Sequence, residues 1–293
     1  MFIKMKNKNI HICFCINDEY VRHTLSTISS IIENSSLTYD LRFYIISDYI
    51  SKENKNKIEL LNKQKKYFNI QIIEIDEKYN PEIDLWKYGQ YILYRLSIPE
   101  IISAEKIIYL DSDMIVLWNI EELWEVDLGN NILGIVEQEK PKNFPWDTKY
   151  FNSWLLVINS QLWKDNNIKG KVLDFLKNEK HYWWPDQDAL NIVIQKNHLF
   201  LDASWNVLHF NVKNKVNIFH FAWLKPWRFI SLNPYNMSYY ESLKKIETLN
   251  QREKVLYTWN KFLVFIPLSV KSFIHNTCYT KLYYFKEYIL NHK

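Results

Sequence analysis

The chemistry of this chain starts at Asp111 and Asp113, two carboxylates that end the apolar run Ile107-Ile108-Tyr109-Leu110. The run has the length and the β-branched, aromatic character of a buried strand. Residues two apart on extended backbone project to the same side. Two like charges brought together at the end of a core strand cost free energy unless a cation neutralises them. A divalent metal with oxygen ligands, at the carboxyl edge of an α/β sheet, meets that need. Turn formation is the competing account, because Asp favours strand-to-loop junctions for its own hydrogen-bonding reasons. Other polar clusters along the chain tip the balance toward the metal.

Asn17-Asp18-Glu19-Tyr20 follows a first strand-like run and offers an aromatic ring able to stack on a base. A helix start capped by Asp18 explains the same residues, and both readings can hold together. Trp184-Pro185-Asp186-Gln187-Asp188 sets three polar side chains at a helix start, with Asp186 the candidate N-cap. Capping accounts for one of them, not for all three. His220 follows a short apolar strand and reads either as a hydrogen-bonded core histidine or as a metal ligand. Beyond it, Pro226 fixes the local chain and Lys225 presents a point charge. Two carboxylates and an imidazole would leave octahedral positions open for phosphate oxygens, and mixed oxygen and nitrogen ligation leans toward Mn²⁺ over Mg²⁺.

The elements that must position these groups alternate in the first half. Strands are expected at His11–Ile16, Leu41–Ile46 and Ile70–Ile75, with helices at Tyr20–Glu33, Lys52–Tyr67 and Leu93–Ile102. This alternation predicts an α/β fold, a mostly parallel sheet covered on both faces. Further strands are expected at Ile132–Val136, Trp154–Ile158 and Ile218–Phe221, and helices at Gln161–Ile168, Lys171–Glu179 and from Asp186. Pro234 marks the likeliest break, dividing a catalytic domain, 1–235, from a C-terminal helical extension, 236–293.

With 293 residues, 47% of them hydrophobic, there is material for one large domain with an appendage. Only four glycines occur, and no Gly-x-Gly-x-x-Gly or Walker sequence, so phosphates must be held by a metal and basic side chains. Cys13, Cys15 and Cys278 make no disulfide or metal framework. The basic, polar Met1–Asn9 is not followed by a signal-peptide core, and a reducing, cytosolic location is expected. The net charge of +4 is uneven, since residues 236–293 carry nine Lys/Arg against four Glu. Those residues are also rich in Tyr, Trp and Phe, from Tyr239 to Tyr288, and have no run long enough to span a bilayer. A surface resting on anionic lipid and a helical extension packed on the main domain explain this equally well. No nucleic-acid-binding motif is present.

Taken in order, the motifs resemble glycosyltransferase family 8, the group that includes bacterial lipopolysaccharide galactosyl- and glucosyltransferases and glycogenin. They are Tyr94-Arg95-Leu96, Tyr109-Leu110-Asp111-Ser112-Asp113, Asp127-Leu128-Gly129, Tyr150-Phe151-Asn152-Ser153, Asp186-Gln187-Asp188-Ala189-Leu190-Asn191, and His220-Phe221 with Lys225-Pro226-Trp227. The resemblance implies a GT-A fold, a Rossmann-like nucleotide-diphospho-sugar transferase, and a metal-dependent, retaining transfer from a UDP-hexose. It implies Asp111, Asp113 and His220 as ligands of Mn²⁺, with Mg²⁺ the alternative ion, and Lys225 on the phosphates. Asn17 and Tyr20 would hold the uracil, and Ser112 would lie at the donor. Arg95, Asn152, Ser153, Asp186 and Gln187 would surround the donor hexose, joined by Glu137 where the family often has a sugar-binding Asp. Gln187 stands where a double displacement would need a nucleophile, which it serves poorly; same-face attack follows, with Asp188 in reserve.

Two departures stand out. Trp154 replaces the usual glycine after Asn-Ser, and four residues rather than five separate His220 from Lys225. The expected activity is that of a hexosyltransferase on the cytosolic face of a bacterial inner membrane, adding galactose or glucose to a lipid-linked glycan such as the lipooligosaccharide core. The rivals are a catalytically silent UDP-sugar-binding module and a metal-dependent nucleotidyl or phosphoryl transferase. The latter would need a triphosphate-binding loop that four glycines do not supply.

Overall fold

Within the computed structural model, residues 9–263 are described except 37, 64–66, 77–88, 142–148, 180–183, 210–214, 224 and 229–231, together with 265–267 and 270. Cys278 and the tail aromatics Phe273, Tyr279, Tyr283, Tyr284, Phe285 and Tyr288 therefore lie outside the described residues, as do residues 1–8.

The β-branched and aromatic runs form β1 (Asn9–Cys15), β2 (Asp40–Ser47), β3 (Phe68–Glu74), β4 (Lys106–Leu110), β5 (Met114–Val116), β6 (Leu133–Gln138), β7 (Tyr150–Asn159), β8 (His198–Phe200) and β9 (Ile218–His220). Between them run α1 (Val21–Asn34), α2 (Lys52–Asn62), α3 (Tyr91–Tyr94), α4 (Ile98–Ile101), α5 (Glu121–Trp124), α6 (Ser160–Asp165), α7 (Ile168–Asn178), α8 (Pro185–Ile194), α9 (Asn236–Lys244) and α10 (Gln251–Leu263). The helix expected over Leu93–Ile102 is broken into α3, a 3₁₀ turn at Arg95–Ser97 and α4, with Pro99 in the first turn of α4.

Seven strands make one sheet in the order β3-β2-β1-β4-β7-β6-β8. It is mixed rather than mostly parallel: β3, β2, β1 and β4 run parallel, whereas β7 is antiparallel to both β4 and β6. The alternating strand-and-helix pattern of the first half predicts its parallel half correctly. In the other half β7 runs against both of its neighbours, and only β8 pairs parallel, with β6. One core lies under α1 and α2, with Ile12, Phe14, Leu25, Ile28, Ile58 and Ile108. The other lies under α3, α4 and α6 to α8, with Cys13, Tyr109, Trp163, Val172 and Leu190. Alternate residues of β1 and β4 thus feed opposite cores, which explains why these strands read as continuous apolar runs.

The chain leaves β1 for β2 on one side, and β4 lies on the other, so the gap between the carboxyl ends of β1 and β4 is the switch point of the sheet. The turn Asn17–Tyr20 and the bend Asp111–Asp113 flank it. β5 pairs with β9 in a separate two-stranded ribbon. Helix α1 serves its backbone: Thr27 Oγ1 donates to the carbonyls of Ser112 (3.1 Å) and Met114 (2.8 Å), and Ser30 Oγ accepts from Val116 N (3.0 Å). Thr27 and Ser30, weak helix formers on their own, are explained by these bonds. A third core joins the ribbon to α9 and α10 through Ile115, Phe219, Phe221, Tyr239, Tyr240, Leu243 and Leu256.

Candidate active site

β4 ends at Leu110, and Asp111 to Asp113 lie in the bend before β5. The bend, not strand alternation, turns the two carboxylates toward a common point. There they meet His220 at the end of β9, and one ligand atom from each of the three lies within 4.8 Å of the others. The ribbon makes this possible, because Met114 pairs with His220 across it and Phe221 N donates to Asp113 O at 2.8 Å.

His220 is buried, and burial pulls its pKa down to about 4, against a small upward pull from Asp111, so the imidazole is neutral. Its Nδ1 faces Asn206 Oδ1 at 3.2 Å, and with the amide in this orientation Nδ1 is the nitrogen that donates. Nε2 then offers a lone pair toward Asp113 Oδ1, 3.1 Å away. Two acceptors facing each other repel unless a cation lies between them. Cis ligands of an octahedral ion with bonds of ~2.1 Å stand about 3 Å apart, so the Asp113–His220 spacing fits a divalent metal, and Asp111, whose carboxylate lies within 4.8 Å of both, is the third candidate ligand.

Lys225 Nζ donates to the other oxygen of Asp113. Burial lowers its pKa to about 8, opposed by Asp111, so it remains largely charged near neutrality. Tyr109 OH donates to Asp111 Oδ1 at 2.5 Å, and Arg95 Nη2 lies 3.5 Å from the same oxygen. Arg95 is the hub between two clusters that are far apart in sequence. Its Nη1 meets Asp186 Oδ2 at 3.0 Å and donates to Ser153 O at 2.8 Å, while the guanidinium lies 4.6 Å from the Tyr109 ring centre. Burial disfavours its charge, but Asp186 and Asp111 more than compensate and hold it protonated.

Asp186 is not the N-cap of α8. Trp184 holds that position without a side-chain cap bond, Pro185 opens the helix, and Asp186 instead accepts from Arg95 and from Ser153 Oγ at 3.1 Å. Gln187 is fully buried; its Oε1 accepts from Ser153 N at 3.0 Å and its Nε2 donates to Tyr150 OH at 2.9 Å. Asp188 accepts from Tyr150 OH and, at 3.0 Å, from Trp184 N. Burial, and then the Asp188 charge, push the Tyr150 phenol well above its ordinary range, so it stays a donor.

The remaining expected residues lie further out. Asn152 donates to Gln138 Oε1 at 2.8 Å and accepts from Trp154 N at 2.7 Å. Glu137 is exposed, and its carboxylate pairs with Lys149 at 2.9 Å. Asn17, not Asp18, caps the turn after β1, accepting from Tyr20 N at 3.3 Å. Asp18 reaches instead to Ser51 N and Asn54 Nδ2, both at 2.8 Å, and ties the turn to α2. Tyr20 packs edge-on to His23 and Trp227, and burial raises its phenol pKa, with Arg228 opposing and Asp111 adding.

Sequence reasoning missed Asn206, Thr27, Tyr109 and Tyr150 as supports of this site. Tyr109 had a signal, two residues before Asp111 on one strand. Asn206, 14 residues before His220, had none.

Comparison with known proteins gives the family and the fold. The profile of the family described as Glycosyl transferase family 8 matches residues 11–231. General stress protein A of Bacillus subtilis (strain 168) is 30% identical over 214 residues, 69% of this chain and 74% of that protein. A lipopolysaccharide 1,2-glucosyltransferase of Escherichia coli is 24% identical over 312 aligned positions, 91% of each chain. Among solved structures, the galactosyltransferase LgtC in complex with donor and acceptor sugar analogues superposes with a TM-score of 0.70 at 21% identity, covering 84% of this chain and 100% of that one. That likeness is one of fold, and it makes the mixed α/β sheet a GT-A fold.

Proposed function

The chain belongs to glycosyl transferase family 8 and is a glycosyltransferase, and from that premise we propose that it moves a hexose, galactose or glucose, from a UDP-sugar to a lipid-linked surface glycan of the lipopolysaccharide-core kind. The observation that carries the proposal is the convergence of Asp111, Asp113 and the neutral His220, with Lys225 on Asp113. Asp111, Asp113 and His220 would hold a divalent ion, Mn²⁺ by the ligand set, and that ion would supply a Lewis acid for the charge developing on the departing diphosphate.

The chain's own groups do the rest. Lys225 is a second positive charge aimed at the same point, and a leaving group stabilised in this way needs no acid to protonate it. Tyr109 and Arg95 hold Asp111 in place. Arg95, Ser153 and Asp186 form a buried polar wall for the donor hexose, with Gln187 fixing the Ser153 backbone. Asn17 and Tyr20, in the turn that follows β1, would take the uracil. The amide oxygen and nitrogen of Gln187 and both oxygens of Asp188 are already engaged, which supports attack from the face that the diphosphate leaves, with retention. Trapping a glycosyl adduct on Asp188 would replace this with double displacement.

The lipid acceptor is supported by α10. Val255, Trp259 and Phe262 follow at helical spacing and are exposed, and Lys254 and Lys261 stand beside them. No helix among the described residues is long and apolar enough to cross a membrane, so contact with anionic lipid would be peripheral. The deciding experiment offers a panel of UDP-sugars with Mn²⁺ or with chelator and measures UDP release. Release from UDP-galactose or UDP-glucose that chelator abolishes is expected. No release from any of them would leave the silent binding module as the better account.

A further inference from the structure

Lys225, the charge that the transfer reading sets at the diphosphate, stands on a turn that two parts of the fold hold. Lys225 to Arg228 close on themselves, with Arg228 N donating to Lys225 O at 3.0 Å. On one side is α1, whose His23 ring lies flat on Trp227, 3.6 Å between centres and 12° between planes. On the other are α9 and α10, which supply two donors to the backbone of the turn. Tyr240 OH donates to Pro226 O and Arg252 Nη2 donates to Arg228 O, both at 2.8 Å. The two sides are also joined to each other. Arg22 of α1 pairs with Glu253 of α10 at 2.7 Å and donates to Glu247 at 2.6 Å, and Ser26 Oγ donates to Tyr239 O at 3.1 Å.

Helix α1 also holds the other half of the Lys225–Asp113 pair. Thr27, one turn after His23 and on the same face, donates to the carbonyls of Ser112 and Met114 on either side of Asp113. One helix face thus supports both the carboxylate bend and Trp227, but it grips the turn by a ring and not by its backbone. The lysine stem is long and flexible, so its charge is placed only as well as the backbone beneath it. That backbone is held by α9 and α10. Tyr240 is fully buried, where a phenylalanine ring would fill the same space. Its hydroxyl, costly to bury without a partner, goes to Pro226 O, one residue past Lys225. We propose that Tyr240 and Arg252 are positioning residues for Lys225, acting through the backbone of the turn to hold the ammonium toward Asp113 and the donor diphosphate. This rests on the hexosyl-transfer reading and extends the supports of the donor site to α9 and α10, beyond residue 231 where the family match ends.

The test measures UDP binding to the full chain with Mn²⁺ by calorimetry, in the wild type and in variants whose thermal unfolding is followed in parallel. Tyr240→Phe keeps the ring and removes the hydroxyl, and it should weaken UDP about fivefold, the worth of one hydrogen bond. Arg252→Gln, on the surface, should weaken UDP about twofold with its unfolding temperature unchanged. The decisive comparison is a double-mutant cycle with Lys225→Ala. If Tyr240 acts through Lys225, Tyr240→Phe should change UDP affinity by less than about twofold once the lysine is gone, whereas a residue that only supports the fold would cost the same in both backgrounds. An undiminished fivefold loss in the Lys225→Ala background overturns the proposal. Unchanged UDP affinity in Tyr240→Phe overturns it as well, and unchanged affinity in Arg252→Gln strikes that residue from the role. Failure of the transfer reading shows separately, in the wild type, as no UDP release from any UDP-sugar.

Discussion

Asn206→Ala tests the proposed metal site at a residue outside its candidate ligands. Asn206 Oδ1 is the acceptor that keeps the proton on His220 Nδ1, at 3.2 Å, and both side chains are buried. Without it, the imidazole either leaves a buried N–H unsatisfied, at a cost of about 1–3 kcal/mol, or shifts the proton to Nε2. A proton on Nε2 would donate to Asp113 Oδ1 and occupy the lone pair that a metal needs. Protonation of the ring offers no escape near neutrality, because its pKa is held at about 4 by burial. Both routes lead to the same result, a loss of metal affinity of about 10–100-fold. The assay is the Mn²⁺ concentration for half-maximal UDP release, with Mn²⁺ binding in the presence of UDP followed independently by calorimetry. Half-saturation should rise by about 10–100-fold while the rate at saturating Mn²⁺ stays within a few-fold. Asn206→Asp, which restores an acceptor, should bind Mn²⁺ far better than Asn206→Ala. Unchanged Mn²⁺ affinity in Asn206→Ala would refute the reasoning, and so would an Asp variant as poor as the Ala variant.

Arg95→Met strands the buried Asp186 carboxylate and removes a partner of Asp111, so urea unfolding should show a stability loss of about 3–5 kcal/mol. A loss below about 1 kcal/mol would mean that the charges find other partners. His23 stacks on Trp227, bonds to Tyr239 OH at 2.7 Å, and is held to a pKa of about 3 by burial first and then by Arg22. Its ordinary value is 6.5, so between those values the unfolded chain binds the extra proton, and stability falls as pH drops below 6.5. His23→Phe should reduce the slope of stability against pH by about one proton across that window, and an unchanged slope would reject the assignment. Trp259→Glu combined with Phe262→Glu removes two exposed apolar anchors from α10 and should weaken sedimentation with vesicles containing phosphatidylglycerol by more than about tenfold. Undiminished binding would place lipid contact elsewhere.

Much of the site was legible before the fold was known, and the reason is local. Asp111, Asp113 and Asp186 to Asp188 are charged or polar residues next to runs that must be buried, and such placement is costly without a purpose. The parallel half of the sheet was legible for a similar reason, because strand and helix periods alternate there at lengths that demand crossovers. The cap at Asp186 was misread because capping is judged from neighbours in the chain. A buried Arg95, 91 positions earlier, outcompetes the helix end for that carboxylate.

The sequence by itself determined the chemical inventory: two carboxylates, an imidazole and a lysine with no glycine-rich phosphate loop, on an α/β frame of glycosyl transferase family 8. Only the tertiary structure decided how those groups act together. The bend after Leu110 aims the carboxylates, and the β5–β9 ribbon sets His220 opposite Met114. Asn206 selects the imidazole nitrogen that faces them. Arg95 joins Asp111 to Asp186. The physical reason is the same throughout. Residue type and spacing fix what a group can do, but hydrogen-bond partners, burial and protonation depend on contacts across the chain, which no local pattern encodes.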